Sequence, residues 1–149
     1  MFTARSLTRG DSLTSEVDVN GRHTILTDEP ETIGGSDLGP APHELLPAML
    51  ASCVSTMIVL YARKRGWELG EAVVDVDYDT DTTPRRVTIT TQLPDGLSED
   101  QVRRLTRVAE SCPVKRALEA GFSFEQTVRA SAGPSALSDR RPAPGAGVR

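Results

Sequence analysis

Apolar and polar residues alternate in five short stretches, and that period of two assigns each of them to a β-strand. Ser15 to Asn20 (S-E-V-D-V-N) and Arg22 to Thr27 (R-H-T-I-L-T) form one pair. Asn20-Gly21 between them is the dipeptide that best suits a tight hairpin turn. Glu71 to Asp79 (E-A-V-V-D-V-D-Y-D) and Arg85 to Leu93 (R-R-V-T-I-T-T-Q-L) form a second antiparallel pair, joined by T-D-T-T-P. Phe122 to Arg129 (F-S-F-E-Q-T-V-R) reads as a last strand.

Two stretches break this rhythm and read as helices. From Leu45 to Ala62 there is no charged residue at all. Pro42 suits the start of this helix, Glu44 places negative charge in its first turn, and Arg63, Lys64 and Arg65 close it before Gly66. Pro47 is expected to kink it, because an interior proline removes a backbone hydrogen bond. Ser98 opens a capping box with Gln101, so a second helix runs from there toward Cys112. Pro113 restarts the helix and Gly121 stops it. Asp28 to Pro42 is a loop rich in glycine, proline and acids. Residues 1–131 make one domain, and 132–149, poor in apolar residues, read as a disordered tail.

The fold class is therefore α+β, with mostly antiparallel sheets packed on two helices. The first helix sets the assembly. About 24 residues at ~1.5 Å each give a rod of roughly 36 Å, against a radius of gyration near ~14 Å for a domain of this size. Apolar or small on every side along its middle, it needs more cover than one sheet provides, and a second subunit is the simplest source.

A net charge of −4 over 149 residues, with no basic stripe, argues against nucleic acid as a partner. Charged residues appear too early at the N-terminus for a secretory signal, so the expected compartment is the cytoplasm. The uncharged helix has the length of a membrane span. Pro47, Ser52, Ser55 and Thr56 dilute it, and the flanking strands alternate like those of a soluble sheet, so no membrane role is expected.

Only two cysteines occur, and each has a setting that suits thiol chemistry. Cys53 lies in the apolar helix beside Met49, Leu50, Thr56, Met57 and Leu60. Cys112 precedes Pro113, so its thiol sits beside the unpaired N–H groups that open a helix, where thiolate is favoured. The competing reading is that Cys53 fills a core and Cys112 merely caps a turn. Metal binding by the cysteines with His23 and His43 lacks the short ligand spacings of zinc sites, so no metal or cofactor is expected.

G-G-S-D-L-G-P-A-P-H-E-L-L-P-A-M-L-A-S-C, from Gly34 to Cys53, followed by C-P-V-K-R-A-L from Cys112 to Leu118, resembles the OsmC/Ohr family of osmotically induced and organic hydroperoxide resistance proteins. The resemblance implies an OsmC-like fold, an intertwined homodimer and active sites at the subunit interface. It also implies a thiol peroxidase in which Cys53 attacks an organic hydroperoxide, Cys112 resolves the product as a disulfide, and an external dithiol restores both. In that family an arginine from the N-terminal strand stabilises the thiolate and is held by a glutamate at the start of the central helix. Arg9 is the best match for the arginine, with Arg5 and Arg22 as alternatives. The glutamate position falls on His43, one residue before Glu44, and the two side chains point about 100° apart on a helix. The alternative function is a noncatalytic dimer that binds an apolar ligand, its cysteines regulatory or vestigial.

Overall fold

The computed structural model describes residues 1–130; the tail assigned to 132–149 lies outside them. Five strands and three helices follow the order β1 (Ala4–Thr8), β2 (Ser15–Val19), β3 (His23–Thr27), α1 (Leu45–Lys64), β4 (Val73–Asp79), β5 (Arg86–Gln92), α2 (Glu99–Glu110) and α3 (Pro113–Ala120). The expected α+β class holds.

β1, β2 and β3 form an antiparallel meander in that order. The predicted β2–β3 hairpin turns at Asn20 and Gly21, whose φ values of 56° and 67° are both left-handed, and Arg22 completes the three-residue connection between the paired Val19 and His23. The Gly21 N–H donates to Asp18 Oδ2 at 2.9 Å and pins the turn. β1 was not expected, because A-R-S-L-T gives no apolar alternation; its pairing to β2 sets Arg5 against Asp18 and Leu7 against Glu16.

The loop that follows is organised by one buried carboxylate. Asp28, 1% exposed, accepts the N–H of Glu29 at 2.9 Å, Ser36 at 3.1 Å and Leu38 at 3.3 Å. Its own N–H donates to Pro40 O at 3.3 Å. Gly35 and Gly39 let the chain close around it: a Cβ at Gly35 would fall 1.7 Å from Glu29 O, and one at Gly39 would fall 2.5 Å from Leu26 O. Burial pushes the Asp28 carboxyl up, but the three amides, with the Thr14 hydroxyl, outweigh it and hold the group below the usual carboxylate value.

Pro42–Glu44 form a 3-10 turn, and Glu44 Oε2 accepts the Ala41 N–H at 2.9 Å. α1 then runs unbroken from Leu45 to Lys64. The kink expected at Pro47 is absent for a simple reason: the α-helix starts at Leu45, so Pro47 lies in its first turn, where no backbone N–H has a partner to lose. At the other end the Gly66 N–H reaches Arg63 O at 3.0 Å and the Trp67 N–H reaches Ala62 O at 2.9 Å, with Gly66 at φ 70°. This is a Schellman cap on the predicted glycine.

β4 and β5 pair antiparallel, with Val74, Val76 and Tyr78 on the inner face opposite Thr91, Ile89 and Val87. β4 and α2 pack against α1, and α3 joins them. Leu50, Val54, Ile58 and Ala62 are the buried stripe of α1; the last three form the core with Leu69, Leu105 and Cys112. α2 opens with the predicted capping box: Ser98 Oγ accepts the Gln101 N–H at 3.3 Å, and Gln101 Oε1 accepts the Ser98 N–H at 2.8 Å.

The strand expected at Phe122 to Arg129 is not formed. The segment follows α3 without regular structure, and Phe124 is 88% exposed. Alternation supplies a strand's side chains but not its hydrogen-bond partner, and no sheet edge of the same chain pairs with it. The meander β1–β3 likewise makes no more than marginal contact with the helices of its own chain, and most of its residues are exposed.

Asp28→Asn is expected to lower the melting temperature, because an amide group cannot accept from all of the donors that surround the carboxylate. The sign with pH follows from the lowered value. The stability that Asp28 provides is complete above the ordinary carboxylate pKa and is lost as pH falls through the depressed folded value. Thermal melts of both proteins from pH 7 into the acid range should therefore converge at low pH; a constant gap would reject this role.

Candidate active site

α1 and the start of α3 bring the two cysteines together. Cys53 lies in the middle of α1, on the border of its buried stripe. Met49, 44% exposed, and Leu60, 56% exposed, flank it on the open side, while Leu50 is buried on the other. Cys112 is fully buried as the N-cap residue of α3, with Pro113 in the first helical position as the sequence predicts. Packing of α1 against both α2 and α3 sets Cys53 against the core cluster that holds Cys112, close enough for the Cys112 thiol and the Val114 N–H to act on the Cys53 thiol.

Three effects act on the Cys53 thiol. Burial pushes its pKa up, the neighbouring Cys112 thiol pushes it further, and the Val114 N–H pulls it back. The sum lies above the ordinary thiol value, which favours the protonated form. Among the described residues, no cation is one of the groups that shift the Cys53 thiol.

The other expected site residues stand apart from the thiol pair. Arg9, in the turn after β1, is exposed and pairs with Glu16 Oε1 at 3.6 Å. Arg5 lies in β1 opposite Asp18, and Arg22 closes the β2–β3 turn. None of the three is among the groups that act on Cys53. His43 and Glu44 are both exposed in the 3-10 turn before α1, and Glu44 uses its carboxylate to cap Ala41. Nine residues separate Glu44 from Cys53, about 13 Å along a helix axis at ~1.5 Å per residue. Only a long side chain reaching in from another element can join the two.

Sequence reading missed the Val114 N–H, since a backbone donor has no residue signature; Pro113 at the start of α3 was the only hint. It also missed a largely apolar cleft of about 560 Å³ between β5 and α2, lined by Ile89, Leu93, Val102, Leu105 and Ala109. Lys115 and Glu110 stand at its margin.

The profile of the OsmC-like protein family matches residues 34–127, a span that runs from the glycine-rich loop through both cysteines. Comparison with curated proteins yields no match. Among solved structures the chain is similar to a Psychrobacter arcticus protein named for osmotic stress induction and a detoxification response. That pair shares 27% identity over 78% of this chain and 87% of the other, with a TM-score of 0.64. It is also similar to an OsmC-like protein of Mycoplasma pneumoniae, at 18% identity over 80% and 87% of the two chains, TM-score 0.63. An organic hydroperoxide resistance protein of Legionella pneumophila matches at 20% identity over 79% and 88%, TM-score 0.54. The last two likenesses establish the fold alone, while the profile covers well over half of the sequence and includes both thiols. The chain belongs to the OsmC-like family.

Proposed function

We propose that the protein is a cysteine-based peroxidase that reduces organic hydroperoxides in the cytoplasm, acting as a homodimer. The observation that carries this reading is the placement of a partly exposed Cys53 against the core cluster in which Cys112 is buried, near enough for the second thiol to act on the first. Cys53 thiolate attacks the terminal oxygen of the hydroperoxide, forming an S–O bond as the O–O bond breaks. The alkoxide takes a proton and leaves as the alcohol. Cys112 then attacks the Cys53 sulfenic acid, water leaves, and a disulfide forms. An external dithiol reduces it by exchange and is itself oxidised. No metal or organic cofactor enters these steps, and neither nucleic acid nor a membrane is needed as a partner.

The dimer is part of the same proposal. The meander β1–β3 leaves its faces uncovered, Met49 and Leu60 project from α1, and the Phe122–Arg129 segment carries apolar side chains with no sheet to join. A second copy covers all three kinds of surface. It also supplies the missing cation: Arg9, at the end of an uncovered sheet, is the candidate to reach the partner's thiol, with His43 or Glu44 holding the guanidinium.

The second reading, a noncatalytic dimer that binds an apolar ligand, draws on the cleft between β5 and α2. Peroxide turnover separates the two.

Cys53→Ser should abolish turnover of cumene hydroperoxide, whereas Cys112→Ser should allow one oxidation per chain followed by poor recycling. Mass spectrometry of the wild type after one equivalent of peroxide should find a disulfide within one chain; Cys53 sulfinic acid beside a reduced Cys112 would exclude the resolving role. Arg9→Ala should shift the rate of Cys53 alkylation to higher pH, because loss of a nearby cation disfavours thiolate. An unchanged pH profile removes Arg9 from the mechanism.

Sedimentation at low micromolar concentration should show a dimer, and Leu60→Glu should weaken it by placing a charge on the apolar flank of α1. A well-folded wild-type monomer under those conditions would refute the assembly.

A further inference from the structure

A second concave surface lies on the other side of α2 from the apolar cleft, and its chemistry is the opposite. It is a groove of about 420 Å³ between the end of α1 and α2, lined chiefly by Tyr61, Asp100, Arg103, Arg104, Arg107 and Ser111. Three guanidinium groups and one carboxylate leave its walls with two positive charges, in a chain whose net charge is −4.

We propose that this groove binds the dianion of a small phosphate monoester, held by Arg104 and Arg107. The arginines follow from helical spacing: residues 100, 104, 107 and 111 succeed one another on one face of α2 and its last turn. Asp100 organises the first two rather than neutralising the set. Its Oδ2 accepts from Arg104 Nε at 2.7 Å and its Oδ1 from an Arg103 terminal nitrogen at 3.2 Å. Tyr61 lines the groove beside Arg104, and with Asp100 it favours the charged form of that guanidinium. Arginine carries five donors in a fixed fork, so Arg104 keeps N–H groups free for a ligand after its contact with Asp100 is made.

Arg107 is different. Among the described residues it has no acidic partner, although Arg103 and Arg104 beside it do. An unpaired guanidinium next to a pre-set one matches the paired oxygens of a phosphate. The far wall is also fixed: Tyr61 meets Trp67 edge to face at 5.8 Å, and Arg65 lies over the Tyr61 ring at 5.2 Å.

Charge and size select the ligand class. Two positive charges in the walls balance a phosphate monoester, which carries about −1.5 to −2 at pH 7 because its second pKa is near 6. The groove lies within the range of about 300–1,000 Å³ typical of small-molecule sites, with room for an organic body beyond the phosphate. Nothing in this proposal depends on the cysteines or on peroxide turnover.

Calorimetry of the full chain at low salt, with glycerol 2-phosphate and inorganic phosphate as probes, tests it. The ester should bind once per chain with a Kd of about 1 mM or tighter, and more tightly than inorganic phosphate. Arg107→Gln should weaken it about tenfold or more, as expected for loss of a charge-assisted pair. Arg107→Lys should recover only part, because it restores the charge and not the fork. Arg86→Gln on β5 removes the same charge elsewhere and should leave binding unchanged; thermal melts confirm that each variant is folded. Affinity should fall below pH 6 as the ester takes up its second proton. Failure to saturate, equal losses in the Arg86 and Arg107 variants, equal affinity for the two probes, or affinity constant through pH 6 would each overturn the proposal.

Discussion

A long helix, uncharged from Leu45 to Ala62, that one sheet and two neighbouring helices leave partly open is the constraint from which the rest of the structure follows. α1 buries Leu50, Val54, Ile58 and Ala62 on one stripe and leaves Met49 and Leu60 open on another. Burial of apolar surface is worth roughly 25 cal/mol per Å², so an exposed apolar flank on the longest helix is a standing drive toward association. Cys53 sits where the two stripes meet. Its thiol therefore lies between the chain's own core on one side and the exposed apolar flank of Met49 and Leu60 on the other.

That placement accounts for the electrostatics of the thiol pair. The core side supplies burial and a second thiol, both of which favour the protonated form, and only one backbone N–H that opposes them. Within one chain the candidate arginines remain on the N-terminal meander or its turns, where Arg9 is occupied by Glu16. Under the proposed mechanism, a cation brought by a second copy would favour the thiolate, and association and activation would be linked through a single charge.

Much of this was legible in the sequence because local chemistry fixes it. Asn20-Gly21, the Ser98 capping box, Pro113 and Gly66 each act within a few residues, and the structure places all four as expected. The departures occur where a partner or a precise start point decides. Pro47 looked like a kink because the α-helix was expected to begin three residues earlier than Leu45. Phe122 to Arg129 has the alternation of a strand, but pairing is a property of two edges and not of one sequence. β1, short and polar, has the edges without the alternation. At the site, the two cysteines were visible as residue types in matching contexts. The role of the Val114 amide was not, although Val114 lies within the second cysteine motif, and neither was that of the Asp28 carboxylate in the loop, since both act through backbone N–H geometry that residue types do not reveal.

The burial of Cys112 has a mechanical consequence. It is at once a member of the hydrophobic core and the neighbour of a partly exposed thiol. A bond between Cys53 and Cys112 would tie α1 to α3 and close a loop of about 60 residues, which in the chain-entropy view stabilises a fold by roughly 4 kcal/mol. Each oxidation would then stiffen the molecule and each reduction would loosen it. The core itself would record the redox state of its surroundings as resistance to heat.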